Sequence, residues 1–159
     1  MLSWVYWLVL AVVVCFSAVL FFGAPYLPTL KGQTKAAFGL LDLKPGQRLL
    51  ELGSGDGRVL VAAARAGYVA VGIELNPILF VYSWLRLLPY GKRATVKWGN
   101  FWNMKWPPAD AVFVFLLNPY MKQLDKRMQK YKKPLASVAF EIPGKKHSAE
   151  RSGVFLYKY

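Results

Sequence analysis

The sequence predicts an α/β domain with a mostly parallel, doubly wound sheet, preceded by one apolar helix. Two observations support this. Short apolar strands alternate with helical stretches from about residue 34 onward, a pattern typical of a parallel sheet with helices on both faces. Residues 1–30 contain no Asp, Glu, Lys, Arg or His, although the whole chain has a net charge of +13. The 159 residues are enough for one domain that follows an uncharged head.

The composition excludes several classes of protein. An aromatic content of 16% together with many branched aliphatic residues is not that of a disordered chain. A single cysteine, Cys15, excludes a disulfide scaffold. One cysteine and one histidine, His147, do not supply the clustered ligands of a usual metal site, so no bound metal is expected.

The uncharged head predicts a membrane anchor. Residues 2–22 form a run of 21 residues in which two serines are the ordinary polar groups. As a helix the run is long enough for a bilayer core of about 30 Å. A cleaved signal peptide is less favoured, because no basic residue precedes the run and the run is long for one. Trp4 and Trp7 suit an interfacial aromatic belt.

The residues after the head give the expected orientation and domain boundaries. Lys31 and Lys35 follow the apolar run, so the positive-inside rule places the body of the protein on the cytoplasmic side of the membrane. A glycine and two prolines between the head and these lysines end the helix. We expect a single-pass anchor at residues 1–23, a linker at 24–33 and a folded domain at 34–159.

The elements of the domain follow from apolar runs and turn residues. The predicted strands lie at 48–52, 68–75, 94–98, 111–117, 137–142 and 153–159, and the predicted helices at 34–43, 58–66, 76–88 and 118–132. Thr34, Asn76 and Asn118 are the expected N-caps, and a proline directly follows each of the two asparagines.

A glycine-rich turn after the first strand predicts the binding site. Glycines at 53, 55 and 57 let the backbone bend tightly and approach a ligand. Arg58 stands where a dinucleotide fingerprint has its third glycine, and no P-loop Gly-Lys-Ser/Thr follows. Glu51 precedes the turn, and Glu74 ends the next strand, where an acid can accept hydrogen bonds from ribose hydroxyls. Two such acids favour a cationic amino-acid nucleoside over a pyrophosphate.

Two sequence segments are similar to motifs I and II of class I S-adenosylmethionine-dependent methyltransferases. They are Glu51-Leu-Gly-Ser-Gly-Asp-Gly57 and Gly72-Ile-Glu-Leu-Asn-Pro77. Within that class the chain most resembles the small archaeal-type and FAM173-like protein-lysine methyltransferases. Four further segments, at residues 25–29, 99–101, 115–117 and 140–142, contribute to this narrower resemblance.

The resemblance implies a Rossmann-like class I methyltransferase fold, S-adenosylmethionine as cofactor and a protein lysine as methyl acceptor. It implies that the cofactor's methionine end lies along the turn, that its ribose is held by Glu74, and that its adenine is bordered by Asn100 and Phe101. The residues of the turn that it assigns to the cofactor are Glu51, Gly53, Ser54, Gly55, Asp56 and Gly57.

A candidate segment for binding the methyl acceptor is Asn118-Pro119-Tyr120. It is similar to the Asn-Pro-Pro-Tyr motif of enzymes that methylate planar amides or amino groups. The alternative is a plain helix start, with Asn as cap and Pro as first helical residue. In this fold the fourth strand ends opposite the methyl group, so Asn118 is the candidate for positioning the acceptor. Tyr26, Thr29, Pro119 and Tyr120 are the other candidate substrate-binding residues.

A basic stripe suggests further partners. Lys122, Lys126, Lys130 and Lys133 recur at helical spacing, as a solvated helix face or as a surface for anionic lipid headgroups. Three functions remain open: a membrane-anchored methyltransferase acting on lysines of a protein substrate such as a membrane protein; the same fold acting on nucleic acid or a small membrane-associated acceptor; and a non-catalytic, membrane-tethered binding module. Nucleic acid is less favoured, because no binding motif accompanies the charge.

Overall fold

A seven-stranded sheet organises the part of the chain that the structure describes. The computed structural model covers residues 3–22 and 27–159, with side chains described for 3–14 and 27–159. The strands are β1 (Arg48–Leu52), β2 (Val69–Glu74), β3 (Ala94–Trp98), β4 (Ala111–Val114), β5 (Leu135–Val138), β6 (Ala149–Arg151) and β7 (Val154–Tyr157). Their order in the sheet is β3-β2-β1-β4-β5-β7-β6, with five parallel strands followed by an antiparallel hairpin at one edge. The mostly parallel sheet that the sequence predicts is confirmed.

Helices lie on both faces of the sheet, as predicted. The described helices are α1 (Ser3–Phe22), α2 (Lys31–Leu41), α3 (Arg58–Arg65), α4 (Pro77–Leu87) and α5 (Asn118–Tyr131), and a 3-10 segment, η1 (Leu88–Arg93), follows α4. Leu49 and Phe113 pack in one core with residues of α2, α3 and α4. Leu50 and Val112, which point the other way, pack in a second core with α5.

Two predicted caps are wrong. Thr34 is buried inside α2, which begins at Lys31, and its hydroxyl donates a hydrogen bond to the carbonyl of Leu30 one turn earlier. Asn118 is the first residue of α5, and extended Leu117 is the cap instead. The cap at Asn76 is confirmed, because its Oδ1 accepts hydrogen bonds from the backbone N–H groups of Ile78 and Leu79.

The predicted strand at 137–142 is also wrong in its limits. The strand β5 begins at Leu135 and ends at Val138, because Ala139 takes a left-handed backbone conformation with φ of 65°. Glu141 and Ile142 therefore lie beyond the strand, in the connection that leads to the hairpin of β6 and β7. The short strand β6 has no counterpart in the sequence prediction.

The apolar head is helical from Ser3 to Phe22. Among the residues that the structure describes, no helix is both long enough and apolar enough to cross a membrane. The transmembrane anchor at residues 1–23 stays a prediction.

Candidate functional site

The glycine-rich turn is fixed at the carboxyl ends of β1 and β2. The backbone N–H groups of Gly53 and Ser54 both donate to the carbonyl of Ile73, at 2.9 and 3.1 Å. The N–H of Gly55 donates to Glu74 Oε2 at 2.6 Å, and the N–H of Asn76 donates to Glu74 Oε1 at 2.8 Å. One carboxylate therefore joins the turn to the start of α4, at the sheet edge where ligands of this architecture bind.

Glu51 places a second acid under the turn. Its side chain is buried on β1, and its Oε2 has no hydrogen-bond partner. Burial, and then the negative charges of Glu74 and Asp56, raise the pKa of Glu51 well above its ordinary value. A buried carboxyl oxygen that lacks a donor is where a ligand's ammonium group gains most.

Glu74 is buried as well, but its oxygens are already engaged. Burial raises the pKa of Glu74, and hydrogen bonds from the N–H groups of Asn76, Gly55 and Leu75 oppose that rise. By hydrogen-bond geometry the acid accepts one bond at each oxygen, from Gly55 and from Asn76, so a second lone pair on each oxygen is left for a hydroxyl of a ribose. The predicted role of Glu74 is compatible with this geometry.

Asp56 is held by two arginines. Its Oδ1 accepts a hydrogen bond from Arg58 Nε at 2.9 Å, and its Oδ2 lies 2.6 Å from Arg86 Nη1. Burial alone would raise the pKa of Asp56, but the hydrogen bonds and charge of Arg58, with the charge of Arg86, outweigh burial and lower it. The carboxylate thus stays ionised and ties the turn to α3 and α4, so it fixes the shape of the turn.

Close packing against α4 explains a glycine at position 57. Gly57 has φ of 74°, and a Cβ there would lie 2.4 Å from Ser83 Oγ on α4. Ser83 is fully buried, and its hydroxyl has no hydrogen-bond partner. Only a residue without a side chain lets α4 approach the turn this closely.

The segment after β3 forms a second wall next to Glu74. The N–H of Gly99 donates to the carbonyl of Glu74 at 2.8 Å, which sets Asn100 and Phe101 beside the acid. Asn100 Oδ1 accepts from the N–H of Trp102 at 2.9 Å, and the rings of Phe101 and Trp102 lie 4.6 Å apart. A polar side chain and an aromatic ring at this position suit an adenine base.

A side chain of α5 holds the segment after β3 in place. Arg127 donates hydrogen bonds to the carbonyls of Trp102 and Met104, and its guanidinium lies 4.4 Å from the centre of the Trp106 ring. Arg127 therefore holds the loop that carries the predicted adenine wall.

Three of the candidate acceptor residues, at positions 118 to 120, lie at the same edge of the sheet. Asn118 and Pro119 are exposed at the start of α5, shortly after the end of β4. Tyr120 is half-buried, and its ring centre lies 6.4 Å from that of Trp102. Thr29 is buried ahead of α2. Tyr26 lies outside the described residues.

Sequence reasoning missed Arg86, Ser83 and Arg127. Arg86 and Ser83 are the two ordinary polar residues of the otherwise apolar α4, and that contrast could have marked them. Arg127 lies among the lysines of α5, where nothing in the pattern separates a loop-fixing arginine from a solvated one.

The polar groups of the site fit S-adenosylmethionine better than they fit a metal ion. Glu51 offers an unpaired carboxyl oxygen for an ammonium group, Glu74 has acceptor capacity for hydroxyls, and the turn brings backbone close to a ligand. Across residues 3–22 and 27–159 no group of three or more His, Cys, Asp or Glu side chains is arranged to hold a metal ion.

Comparison with known proteins identifies the family. The sequence profile of the ANTKMT methyltransferase domain matches residues 51–149. The chain belongs to this methyltransferase family. A protein-lysine N-methyltransferase of Saccharolobus islandicus is 30% identical over 127 residues, which cover 76% of this chain and 79% of the relative. The class I methyltransferase, FAM173-like relationship that the sequence predicts is confirmed.

Other relatives are longer. An ATP synthase c-subunit lysine N-methyltransferase of Rattus norvegicus is 35% identical over 107 residues, which cover 66% of this chain and 49% of the relative. The chain thus spans about half the length of that relative.

A solved structure confirms the fold. The RNA methyltransferase of Salinibacter ruber in complex with S-adenosyl-L-homocysteine superposes with a TM-score of 0.74 at 24% identity, covering 84% of this chain and 92% of that one. The Rossmann-like fold agrees with the sequence prediction. The predicted cofactor, S-adenosylmethionine, agrees with the match to the methyltransferase family.

Proposed function

We propose that this chain is an S-adenosylmethionine-dependent methyltransferase that modifies lysine side chains of a protein. The observation that supports it most is the buried Oε2 of Glu51, which has no partner beside the glycine turn of a methyltransferase-family domain. The lysine acceptor is supported by the names of the archaeal and rat relatives.

Different residues of the site would contact different parts of the cofactor. Glu51 would accept a hydrogen bond from the ammonium of the methionine end, and Glu74 would accept from the ribose. Asn100 and Phe101 would border the adenine. When bound, S-adenosylmethionine supplies an electrophilic methyl group on a sulfonium. Glu51 and Glu74 then fix where that methyl group points, which is the positioning that in-line transfer requires.

The acceptor needs little chemistry from the protein. An amine attacks only when it is unprotonated, so a lysine gives its proton to solvent and must then be aimed at the methyl carbon. Asn118 is exposed at the carboxyl edge of the sheet, and its side-chain oxygen can accept a hydrogen bond from that amine and orient the lone pair. Pro119 and Tyr120 would border the same acceptor, and Thr29 and Tyr26 are the other candidates that the sequence gives for substrate binding.

We also propose that residues 2–22 attach the enzyme to a membrane, with the domain on the cytoplasmic side. The support is a run of 21 uncharged residues, the exposed aromatic side chains of Trp4, Tyr6 and Trp7, and Lys31 and Lys35 beyond the run. An enzyme held at a bilayer would reach lysines close to the membrane surface, in a membrane protein above all.

A binding titration tests the cofactor first. Calorimetry of the full chain in detergent should show saturable binding of S-adenosylmethionine and none of NAD. The variant Glu74→Gln should bind at least about tenfold more weakly, because an amide replaces a charged acceptor of two hydroxyls. Glu150→Gln, at an exposed position of β6, is the matched control and should bind normally. Absence of binding by folded wild-type chain would leave a non-catalytic module.

A transfer assay then tests the acceptor. Membrane extracts incubated with the chain and methyl-labelled cofactor should yield label that proteinase removes, nuclease does not, and hydrolysis returns as methyl-lysine. Label that is lost to nuclease would instead support the nucleic-acid alternative, to which the net charge of +13 is suited. Label in organic extract would point to a small membrane-associated acceptor.

A further inference from the structure

The outer face of α4 differs from the outer faces of the other helices of the domain. Its sequence PILFVYSWLRL has one charged residue, and Val81, Tyr82, Trp84 and Leu85 are each 50% to 55% exposed. Leu88, at the start of η1, is 57% exposed. A helix that is apolar all round is ordinarily buried or in contact with lipid. We call these five residues the α4 apolar surface.

The helix α5 serves as an internal comparison on the opposite face of the sheet. Its buried residues are Met121, Leu124 and Met128, and lysines cover its exposed face. The fold therefore does not require an apolar exterior on a helix that covers the sheet. The inner face of α4 already packs through Ser83 and Leu87, so the five exposed residues add nothing to the core.

Continuity with the N-terminal helix indicates what covers this surface. The helix α1 contacts α4, and its described side chains Trp4, Trp7 and Leu8 are themselves 58% to 70% exposed. The residues of the α4 apolar surface keep their exposure with α1 in place. The two helices together thus present apolar side chains that the described part of the chain leaves uncovered.

The basic residues near the α4 apolar surface indicate more closely what kind of partner covers it. From Leu75 to Ala109 the sequence has no acidic residue, while Arg86, Lys92, Arg93, Lys97 and Lys105 give it a charge of +5. Lys92 and Arg93 are exposed in η1, four and five residues after Leu88. Tyr82 and Trp84, with Trp98 nearby at 61% exposure, are residues enriched where a membrane meets water. Apolar side chains with a basic border match anionic headgroups over acyl chains.

We propose that the α4 apolar surface lies in the interfacial layer of an anionic bilayer and that Lys92 and Arg93 contact its headgroups. The inference rests on the membrane attachment proposed above and fixes which face of the domain meets the lipid. It places the lysine face of α5 away from the bilayer, because α4 and α5 cover opposite faces of the sheet.

Depth-dependent quenching on the full chain tests this. In a Cys15→Ser background, single cysteines replace Leu85, Val81 or, as the matched control on α5, Lys126, and each is labelled with an environment-sensitive fluorophore. The chains are bound to protein-free vesicles that contain anionic phospholipid with brominated acyl chains. We expect blue-shifted, strongly quenched emission from the labels at 81 and 85, and emission unchanged by bromine from the label at 126.

Charge reversal supplies the second readout. Lys92→Glu/Arg93→Glu should reduce the quenching of the label at 85, whereas Lys126→Glu/Lys130→Glu should leave it unchanged. With purely zwitterionic vesicles, the quenching of the label at 85 should fall as it does in Lys92→Glu/Arg93→Glu.

Each other outcome overturns the inference in a recognisable way. If the chains float with the vesicles while the label at 85 stays accessible to aqueous iodide, the membrane attachment is supported. The proposed contact of α4 with the bilayer is then refuted. That result would favour a protein partner on this surface. Stronger quenching at 126 than at 85 would assign the lysine face of α5 to the bilayer. Chains that do not float would refute both the membrane attachment and the contact of α4 with the bilayer, whatever the outcome of the cofactor titration.

Discussion

The carboxylate of Asp56 and the guanidinium of Arg86 lie 2.6 Å apart although thirty residues separate them in the chain. Asp56 belongs to the glycine turn, and Arg86 lies in the last turn of α4. Arg86 Nη1 also lies 3.3 Å from the carbonyl of Asp56, so it contacts both the side chain and the backbone of the turn. The pair therefore fixes the turn to a helix that the cofactor itself need not touch.

Arg86→Gln should loosen the turn without removing a cofactor contact. We expect S-adenosylmethionine to bind several-fold more weakly, and the free energy of unfolding to fall by about 1 kcal/mol, since both side chains are partly solvated. Calorimetry and urea unfolding measure the two effects. Lys92→Gln, exposed in the neighbouring η1, is the control and should change neither. Equal cofactor affinity in Arg86→Gln and wild type would contradict the role assigned to the pair.

Glu51→Gln should make the empty domain more stable and its binding of S-adenosylmethionine weaker. The native pKa of Glu51 is raised, so the folded state holds a proton that the unfolded state releases. The stability of the wild type therefore declines as the pH rises above the ordinary carboxyl value of 4.5, and the variant lacks this contribution to the decline. Asp56 and Glu74 titrate in both proteins, so the comparison removes the part of the pH dependence that does not involve Glu51.

Urea unfolding at pH 5 and pH 8 checks the sign. The variant should gain about 1 kcal/mol over wild type at pH 8 and less at pH 5. Its affinity for S-adenosylmethionine should drop at least about tenfold, since an amide is a poor partner for an ammonium. A variant that binds the cofactor like wild type would show that the free oxygen of Glu51 does not face it.

Gly57→Ala should destabilise the domain for two separable reasons. A Cβ at this position meets Ser83 Oγ at 2.4 Å, and φ of 74° is unfavourable for alanine. We expect a loss of about 2 to 4 kcal/mol. Ser83→Ala alone should be nearly neutral, because the hydroxyl is buried without a partner.

The double variant Gly57→Ala/Ser83→Ala should recover part of that loss and retain about 1 kcal/mol for the backbone. Thermal unfolding of the four proteins gives the coupling between the two sites. Strict additivity would mean that α4 does not pack on the turn as the structure has it.

Much of this fold could be predicted because its strands are bounded by residues with strong local preferences. The limits of β1 and β3 agree with those expected from the sequence. A Pro45-Gly46 turn precedes β1, and glycines 53 and 99 follow the two strands. At the start of α4, Asn76 followed by Pro77 fixed the cap, because both residues favour that position.

The remainder depended on contacts that local preference does not encode. Residues 135–140 are apolar apart from Ser137, so periodicity could not show that β5 ends at Val138, where a left-handed Ala139 turns the chain. Leu117, not Asn118, caps α5, so an Asn-Pro pair alone does not fix a helix start to the residue. The Asp56–Arg86 pair joins residues that no short window of sequence contains together.

Asn118→Ala should separate acceptor positioning from cofactor binding. Asn118 is exposed at the first position of α5 and caps no helix, so its removal should change stability by less than about 0.5 kcal/mol. Binding of S-adenosylmethionine should be unchanged, because the turn at Glu51 and Glu74 is untouched. The rate of methyl transfer should fall about 10-fold to 100-fold if the amide aligns the lysine amine.

The matched control is Gln123→Ala, which removes an exposed amide from the same helix and should leave the rate unchanged. Single-turnover measurement with cofactor bound in advance isolates the transfer step from cofactor binding. A transfer rate like that of wild type would show that Asn118 takes no part in the reaction.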